Sequence, residues 1–167
     1  METPTTYLNE PAVWLALENV KDPEIPVLSV IDMGVIYKVE VKEEPSSCIV
    51  TMTPTFVGCP AIDIMKKSVH EEVAKLGFDI VEVKVDLENT WTSDRMSAEA
   101  KIKLEKFGLA PPAVIMGELT EAQLNNVRCP HCGSTDTTLR SAFGSTLCRA
   151  IRFCFNCKQG FEQFKPI

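Results

Sequence analysis

The sequence predicts an α+β fold, a small sheet packed by helices, followed by a short C-terminal ribbon stapled by cysteines. Three observations carry this reading. Helical and strand periodicities follow one another in the order α-β-β-α-β-α through the first two thirds of the chain. Two C-x-x-C pairs, Cys129/Cys132 and Cys154/Cys157, lie close together near the end. Charge also changes sharply: residues 1–127 hold 11 Lys+Arg and 21 Asp+Glu, a net of −10, while residues 128–167 hold 6 and 2, a net of +4. Five of the seven cysteines and five of the eight phenylalanines fall in that last stretch, so it reads as a separate module.

The elements follow from spacing. Pro11 to Val20 carries Val13, Trp14, Leu17 and Val20 on one helical face and must end before Pro23. Val35, Tyr37, Val39 and Val41 alternate with Lys38 and Glu40, a strand with one buried face. Turn residues Glu43 to Ser47 connect it to a second strand over Ile49–Thr53, which predicts a hairpin. Ile62, Met65, Val69, Val73 and Leu76 make an amphipathic helix from Pro60, closed by Gly77. Asp79 to Glu88 alternates again, with Val81, Val83, Val85 and Leu87 inward. A last helix spans Ser97 to Phe107, with Ser97 as N-cap and Gly108 just past its end. Pro111 and Pro112 then stop any helix. The expected organisation is a domain over 1–107, a linker over 108–127 and a ribbon over 128–167.

Composition narrows the function classes. With 45% apolar residues the chain can build a core, which argues against wholesale disorder. A net charge of −6 opposes charge-driven binding of nucleic acid. No apolar run approaches the roughly 20 residues of a membrane helix. Met1 to Thr6 lacks the basic and apolar pattern of a secretory signal, so a cytoplasmic location is the expectation.

Cys59 follows a strand and precedes a helix whose first residue is Pro60. A thiol at or beside an N-cap meets free N–H groups and the positive end of the helix dipole, which lowers its pKa. It reads as a metal or cluster ligand or a nucleophile, against a small residue packed in a tight turn. A cysteine hydrolase is disfavoured: His131 lies in the other module and would need a specific docking, and His70 is too distant. His70 lies 11 residues on along the same helix, roughly 16 Å at about 1.5 Å per residue, where a base needs about 3 Å. Asp22, Glu24 and Asp32 sit in loops that can approach the Cys59 turn, although capping is the commoner job of such residues.

The two C-x-x-C knuckles supply four soft ligands suited to tetrahedral zinc. A module this small cannot bury enough surface to stand alone, and structural zinc contributes roughly 10–16 kcal/mol in comparable modules. Disulfides are the alternative, disfavoured in a reducing compartment. An iron–sulfur cluster also matches the spacing. Leu139, Phe143, Leu147, Ile151, Phe153, Phe161 and Phe164 are the expected ribbon core. Cys148 is a fifth thiol where zinc needs four, so a buried or spare role is expected and an additional ligand is the alternative.

These residues carry a resemblance. Asp22-Pro23-Glu24-Ile25-Pro26, Asp32-Met33-Gly34 and the Gly58-Cys59-Pro60 turn resemble the SufT-like iron–sulfur assembly domain. Trp91-Thr92-Ser93-Asp94-Arg95-Met96, the Gly108–Pro112 stretch and Phe143-Gly144-Ser145-Thr146-Leu147-Cys148 add a narrower likeness. Together they resemble the D-subunit family of bacterial phenylacetyl-CoA ring-1,2-epoxidases, from about Trp14 to the end. The resemblance implies a non-catalytic accessory component of a multicomponent monooxygenase in phenylacetate degradation. Its partners would be the oxygenase and reductase subunits, with no nucleic acid or membrane partner; a homodimer is left open. Zinc would be structural, and iron or an iron–sulfur cluster would be held transiently. Cys59 would be the functional thiol, flanked by Asp22, Glu24 and Asp32. Tails of this family often end Phe-Lys-Cys-Ile, whereas this one ends Phe164-Lys165-Pro166-Ile167. A tail cysteine is therefore no required ligand here, which favours Cys129, Cys132, Cys154 and Cys157. The rival readings are a stoichiometric structural subunit, a nucleic-acid-binding ribbon and a thiol enzyme.

Overall fold

A computed structural model describes residues 8–114 and 125–166. The opening Met1 to Thr6 and the middle of the expected linker lie outside the described residues. The chain divides into two compact units, Met1–Thr90 and Trp91–Ile167.

The first unit is α+β. Helix α1 (Glu10–Leu17) starts at Asn9, whose Oδ1 accepts from the Ala12 N–H at 2.9 Å. Strands β1 (Ile36–Lys42) and β2 (Ser47–Met52) form the antiparallel hairpin. Helix α2 (Ala61–Ala74) crosses over to β3 (Ile80–Val85), which pairs parallel with β2, giving the sheet order β1-β2-β3. Met65, Val69 and Val73, spaced by four, are the buried stripe of α2, as the periodicity requires. Helix α1 packs on α2 and β1, and α2 packs on β3. Val50, Met52, Val13 and Leu17 are all fully buried, so the core lies under the centre of β2.

Two inward assignments are corrected. Tyr37 is exposed because the β1–β2 register shifts between Ile36 and Lys38, and the extra residue turns out of the alternation. Leu87 is exposed because β3 ends at Val85, where Asp86 accepts from the Glu88 N–H at 2.8 Å and starts a turn.

In the second unit, α3 (Ala98–Phe107) is capped by Ser97, which accepts from the Ala100 N–H at 3.0 Å. Gly108 ends it in the left-handed conformation, φ 93°. Strands β4 (Leu109–Ala110), β5 (Thr137–Ser141), β6 (Arg149–Cys154) and β7 (Gly160–Phe164) form one sheet in the order β4-β7-β6-β5. Because β4 follows α3 directly and pairs parallel with β7, α3 groups with the ribbon in this division. Trp91 supports the grouping, with its ring centroid 5.9 Å from that of Phe164.

The expected ribbon core needs correction. Phe161 and Phe164 are buried, Phe153 is half-buried, and Leu139, Phe143, Leu147 and Ile151 are exposed. The actual core is Ala110, Val127, Cys129, Cys154 and Phe161, with Cys157 against it. Arg152 and Gln163 are also buried, joined by an Arg152 Nε to Gln163 Oε1 hydrogen bond of 2.6 Å. The cysteines themselves fill the centre, leaving little room for the aliphatic residues of β5 and its following loop.

Candidate functional site

Each unit holds one candidate site. In the ribbon, the sulfurs of Cys129, Cys132, Cys154 and Cys157 lie within 4.8 Å of one another. Among the described residues this is the one cluster of three or more Cys, His, Asp or Glu donors. Cys129 and Cys157 sulfurs are 3.7 Å apart, and Cys132 and Cys154 sulfurs 3.6 Å. A tetrahedral ion about 2.3 Å from each sulfur spaces them about 3.8 Å apart, whereas a disulfide needs about 2.05 Å. All seven cysteines are free thiols. The donor set therefore fits a metal ion, and the ribbon is a metal-binding module.

The two knuckles are built alike. The residue after each second cysteine is left-handed, Gly133 at φ 75° and Lys158 at φ 61°. That turn lets the N–H of the next residue, Ser134 or Gln159, donate to the sulfur of Cys132 or Cys157. The N–H of each first cysteine donates across the same loop, Cys129 to Ser134 O and Cys154 to Gln159 O, both at 2.9 Å. The Asn156 amide donates to Cys132 Sγ at 3.5 Å and, with the Ser134 N–H, holds that thiol down to about 6. Burial, reinforced by the neighbouring sulfurs, pushes the Cys157 thiol up to about 12. Four thiols this close cannot all lose their protons unless a cation shares the charge. Asn156, Ser134 and Gln159 support the site and went unread in the sequence. Gly133 after the first C-x-x-C was the available signal, and Lys158 after the second gives none.

Cys148 lies outside this cluster. It is buried at the start of β6, with Thr146 Oγ1 3.0 Å from its sulfur.

In the first unit, Cys59 is 9% exposed and precedes Pro60, which is the N-cap of α2. Gly58 before it has φ 84°, so the turn from Thr53 to Pro60 needs a glycine there. The Ala61 N–H and the Thr55 hydroxyl donate to the Cys59 sulfur. Thr55 is buried and, four residues upstream in the same loop, was missed in the sequence.

The expectation of a lowered thiol pKa is corrected. Burial raises it, and the negative charges of Glu24 and Asp22 raise it further, outweighing the donors at the helix start. At neutral pH Cys59 is a protonated thiol that feels two carboxylates. Asp22 is buried and its Oδ1 accepts from the Glu24 and Ile25 N–H groups at 2.8 and 2.7 Å, which shapes the loop and leaves Glu24 exposed. Asp32 accepts from the Ser29 N–H at 2.9 Å while Ser29 Oγ accepts from the Asp32 N–H at 2.9 Å, a reciprocal cap within its own turn. The geometry thus brings the charges of Asp22 and Glu24 to bear on Cys59 and shows Asp32 in a capping role. His70 is exposed on α2, three turns beyond Cys59.

Comparisons with known proteins agree with this division. Residues 10–85 match the family described as iron–sulfur cluster assembly protein, and residues 117–165 match the PaaD zinc beta ribbon domain. A protein of Escherichia coli, named as the putative D subunit of 1,2-phenylacetyl-CoA epoxidase, is 39% identical over 93% of this chain and 92% of its own. An Fe–S protein maturation auxiliary factor of Porphyromonas gingivalis is 40% identical over 53% of this chain and 83% of its own. The crystal structure of a domain of unknown function, DUF59, from Bacillus anthracis is 31% identical with a TM-score of 0.53, covering 57% of this chain and 90% of that one. No helix among the described residues is long and apolar enough to cross a membrane.

Proposed function

The chain belongs to the D-subunit family of phenylacetyl-CoA epoxidases, and we propose that it serves that monooxygenase as a non-catalytic accessory factor. In this reading it assists the loading of iron or an iron–sulfur cluster into the oxygenase or reductase subunit. Its own ribbon holds one structural zinc through Cys129, Cys132, Cys154 and Cys157. A cytoplasmic location belongs to the same reading, since the cysteines are free.

The observation that carries the proposal is the Cys59 turn: a buried thiol at a helix start, held by Thr55 and Ala61, under the negative charge of Glu24 and Asp22. Those charges suppress the thiolate needed by a nucleophile, and His70 of the same unit is too far along α2 to act as its base. The same charges attract a cation. When a divalent iron binds the sulfur, the thiol proton leaves to solvent and the metal's charge reverses the local penalty on the thiolate. Among the described residues these groups form no cluster of three donors close enough to fix an ion, so a metal would rest on the lone sulfur and pass on, which suits transient handling. The names of the relatives matching the first half support this reading.

A second reading, a stoichiometric structural component of the complex, is favoured by the relative's being named as a subunit. Complementation separates the two. In a strain lacking this protein, Cys59→Ser should fail to restore growth on phenylacetate although the variant folds and associates normally. Full restoration removes Cys59 from the mechanism and leaves the structural reading.

A further inference from the structure

The Phe143–Cys148 motif takes part in neither site. It forms the connection between β5 and β6, and it exposes Phe143 by 68% and Leu147 by 54%. Large apolar side chains this exposed are ordinary on a floppy loop, but this loop is pinned throughout. Ser141 Oγ donates to Phe143 O at 2.8 Å, and the Gly144 N–H donates to Arg149 O at 2.9 Å. Glu162 of β7 accepts from the Ser145 N–H at 2.7 Å and from the Ser145 hydroxyl at 3.1 Å. Arg149 closes the ring, 3.0 Å from Glu162 and 3.1 Å from Ser145 Oγ. Gly144 is packed so tightly that a Cβ there would stand 2.8 Å from Glu162 Oε1 and 2.9 Å from Arg149 Cβ. A largely buried ion pair and a sterically obligatory glycine thus fix a loop whose two largest side chains stay mostly exposed, outside the ribbon core.

We propose that the Phe143–Leu147 loop is a preorganised docking element that places these two side chains in an apolar pocket of an acidic partner protein. Fixing the loop beforehand lowers the ordering cost of binding, and aromatic side chains such as Phe143 are enriched at interfaces. The surroundings set the partner's charge. Lys165 Nζ stands 5.6 Å from the Phe143 ring centroid, Arg140 is exposed on β5, and residues 128–167 carry a net +4 with protonated thiols and stay net positive with a divalent ion on four thiolates. A carboxylate-rimmed pocket complements that frame.

The test uses the metal-loaded full chain and, as probes, the separately purified oxygenase and reductase subunits of the same epoxidase; that choice rests on the proposed function. Binding is measured at low and at high salt. The Phe143→Ser/Leu147→Ser double variant should weaken binding at least about 30-fold with melting temperature and metal content unchanged. Arg140→Glu/Lys165→Glu, which keeps both apolar side chains, should slow association at low salt, with the electrostatic part of the difference shrinking at high salt; any defect from the lost Lys165 contacts with the Phe143 ring and Ala142 O persists at high salt and is read there. Cys59→Ser should bind like the wild type, so a defect confined to client loading reports on maturation and not on docking. Undiminished binding by both double variants overturns the proposal, as does wild-type protein that binds neither probe. Loss of self-association in place of probe binding overturns it in favour of a second copy.

Discussion

Removing the ribbon's metal should unfold the ribbon and leave the first unit standing. Among the described residues after Arg128, the buried large apolar side chains are Phe161 and Phe164. Together they contribute about 3–6 kcal/mol at 1.5–3 kcal/mol each. Three of the six residues around the ribbon core are the cysteines Cys129, Cys154 and Cys157. Structural zinc in modules of this size contributes roughly 10–16 kcal/mol, which outweighs the apolar packing supplied by the residues after Arg128. The two tryptophans make the effect measurable. Trp14, half-buried on α1, reports on the first unit, and Trp91, 2% exposed against Phe164, reports on the second. In a Trp14→Phe variant, excess chelator should shift Trp91 emission to the red and abolish its near-ultraviolet dichroism. The helical signal of α1 and α2 should persist in the wild type. Trp91 remaining buried in protein shown to be metal-free would refute the reasoning, and the cysteines would then be packing residues.

Three further outcomes are expected. Cys148→Ser should retain one equivalent of metal and a near-unchanged melting temperature, because its sulfur lies outside the four-cysteine cluster; metal analysis checks this. Alkylation of Cys59 should be slow at neutral pH and rise only towards and above pH 9, since its pKa is raised from 9.0; Glu24→Gln should move the profile to lower pH by removing a negative charge, and peptide mass spectrometry follows both. Thr53→Val should stabilise the protein by roughly 1 kcal/mol, because Thr53 is buried and its hydroxyl has no hydrogen-bond partner among the described residues; chemical denaturation measures it, and a loss of stability would show the hydroxyl to be satisfied.

What the sequence disclosed was whatever local periodicity controls. The Met65-Val69-Val73 stripe, the Ser97 cap and the β1–β2 hairpin follow from nearest-neighbour geometry, and all are present. The four clustered cysteines were equally legible, because short C-x-x-C loops leave two sulfurs little choice of direction. The failures came where distant segments decide. The bulge that turns Tyr37 outward depends on β2, and the exposure of Leu139 and Ile151 depends on cysteines taking the centre. The helix start alone predicts a lowered pKa for Cys59, and the sequence places Asp22 and Glu24 nearby without weighing their charge against it. The real environment of Cys59 includes Glu24 and Asp22 from a loop more than 30 residues away in the chain, together with burial, and these reverse the sign.

Whether Cys59 handles metal on its way to a client is tested most directly in the clients themselves. The measurement is the iron and acid-labile sulfide content of oxygenase and reductase purified from cells carrying Cys59→Ser in place of the wild-type protein. Serine is close in size to cysteine, so the turn before α2 should persist while soft coordination is lost. A metal-handling Cys59 predicts that one client emerges depleted of iron or cluster, and that whatever fraction is fully loaded turns over at the normal rate. Fully loaded clients from the variant strain would contradict it.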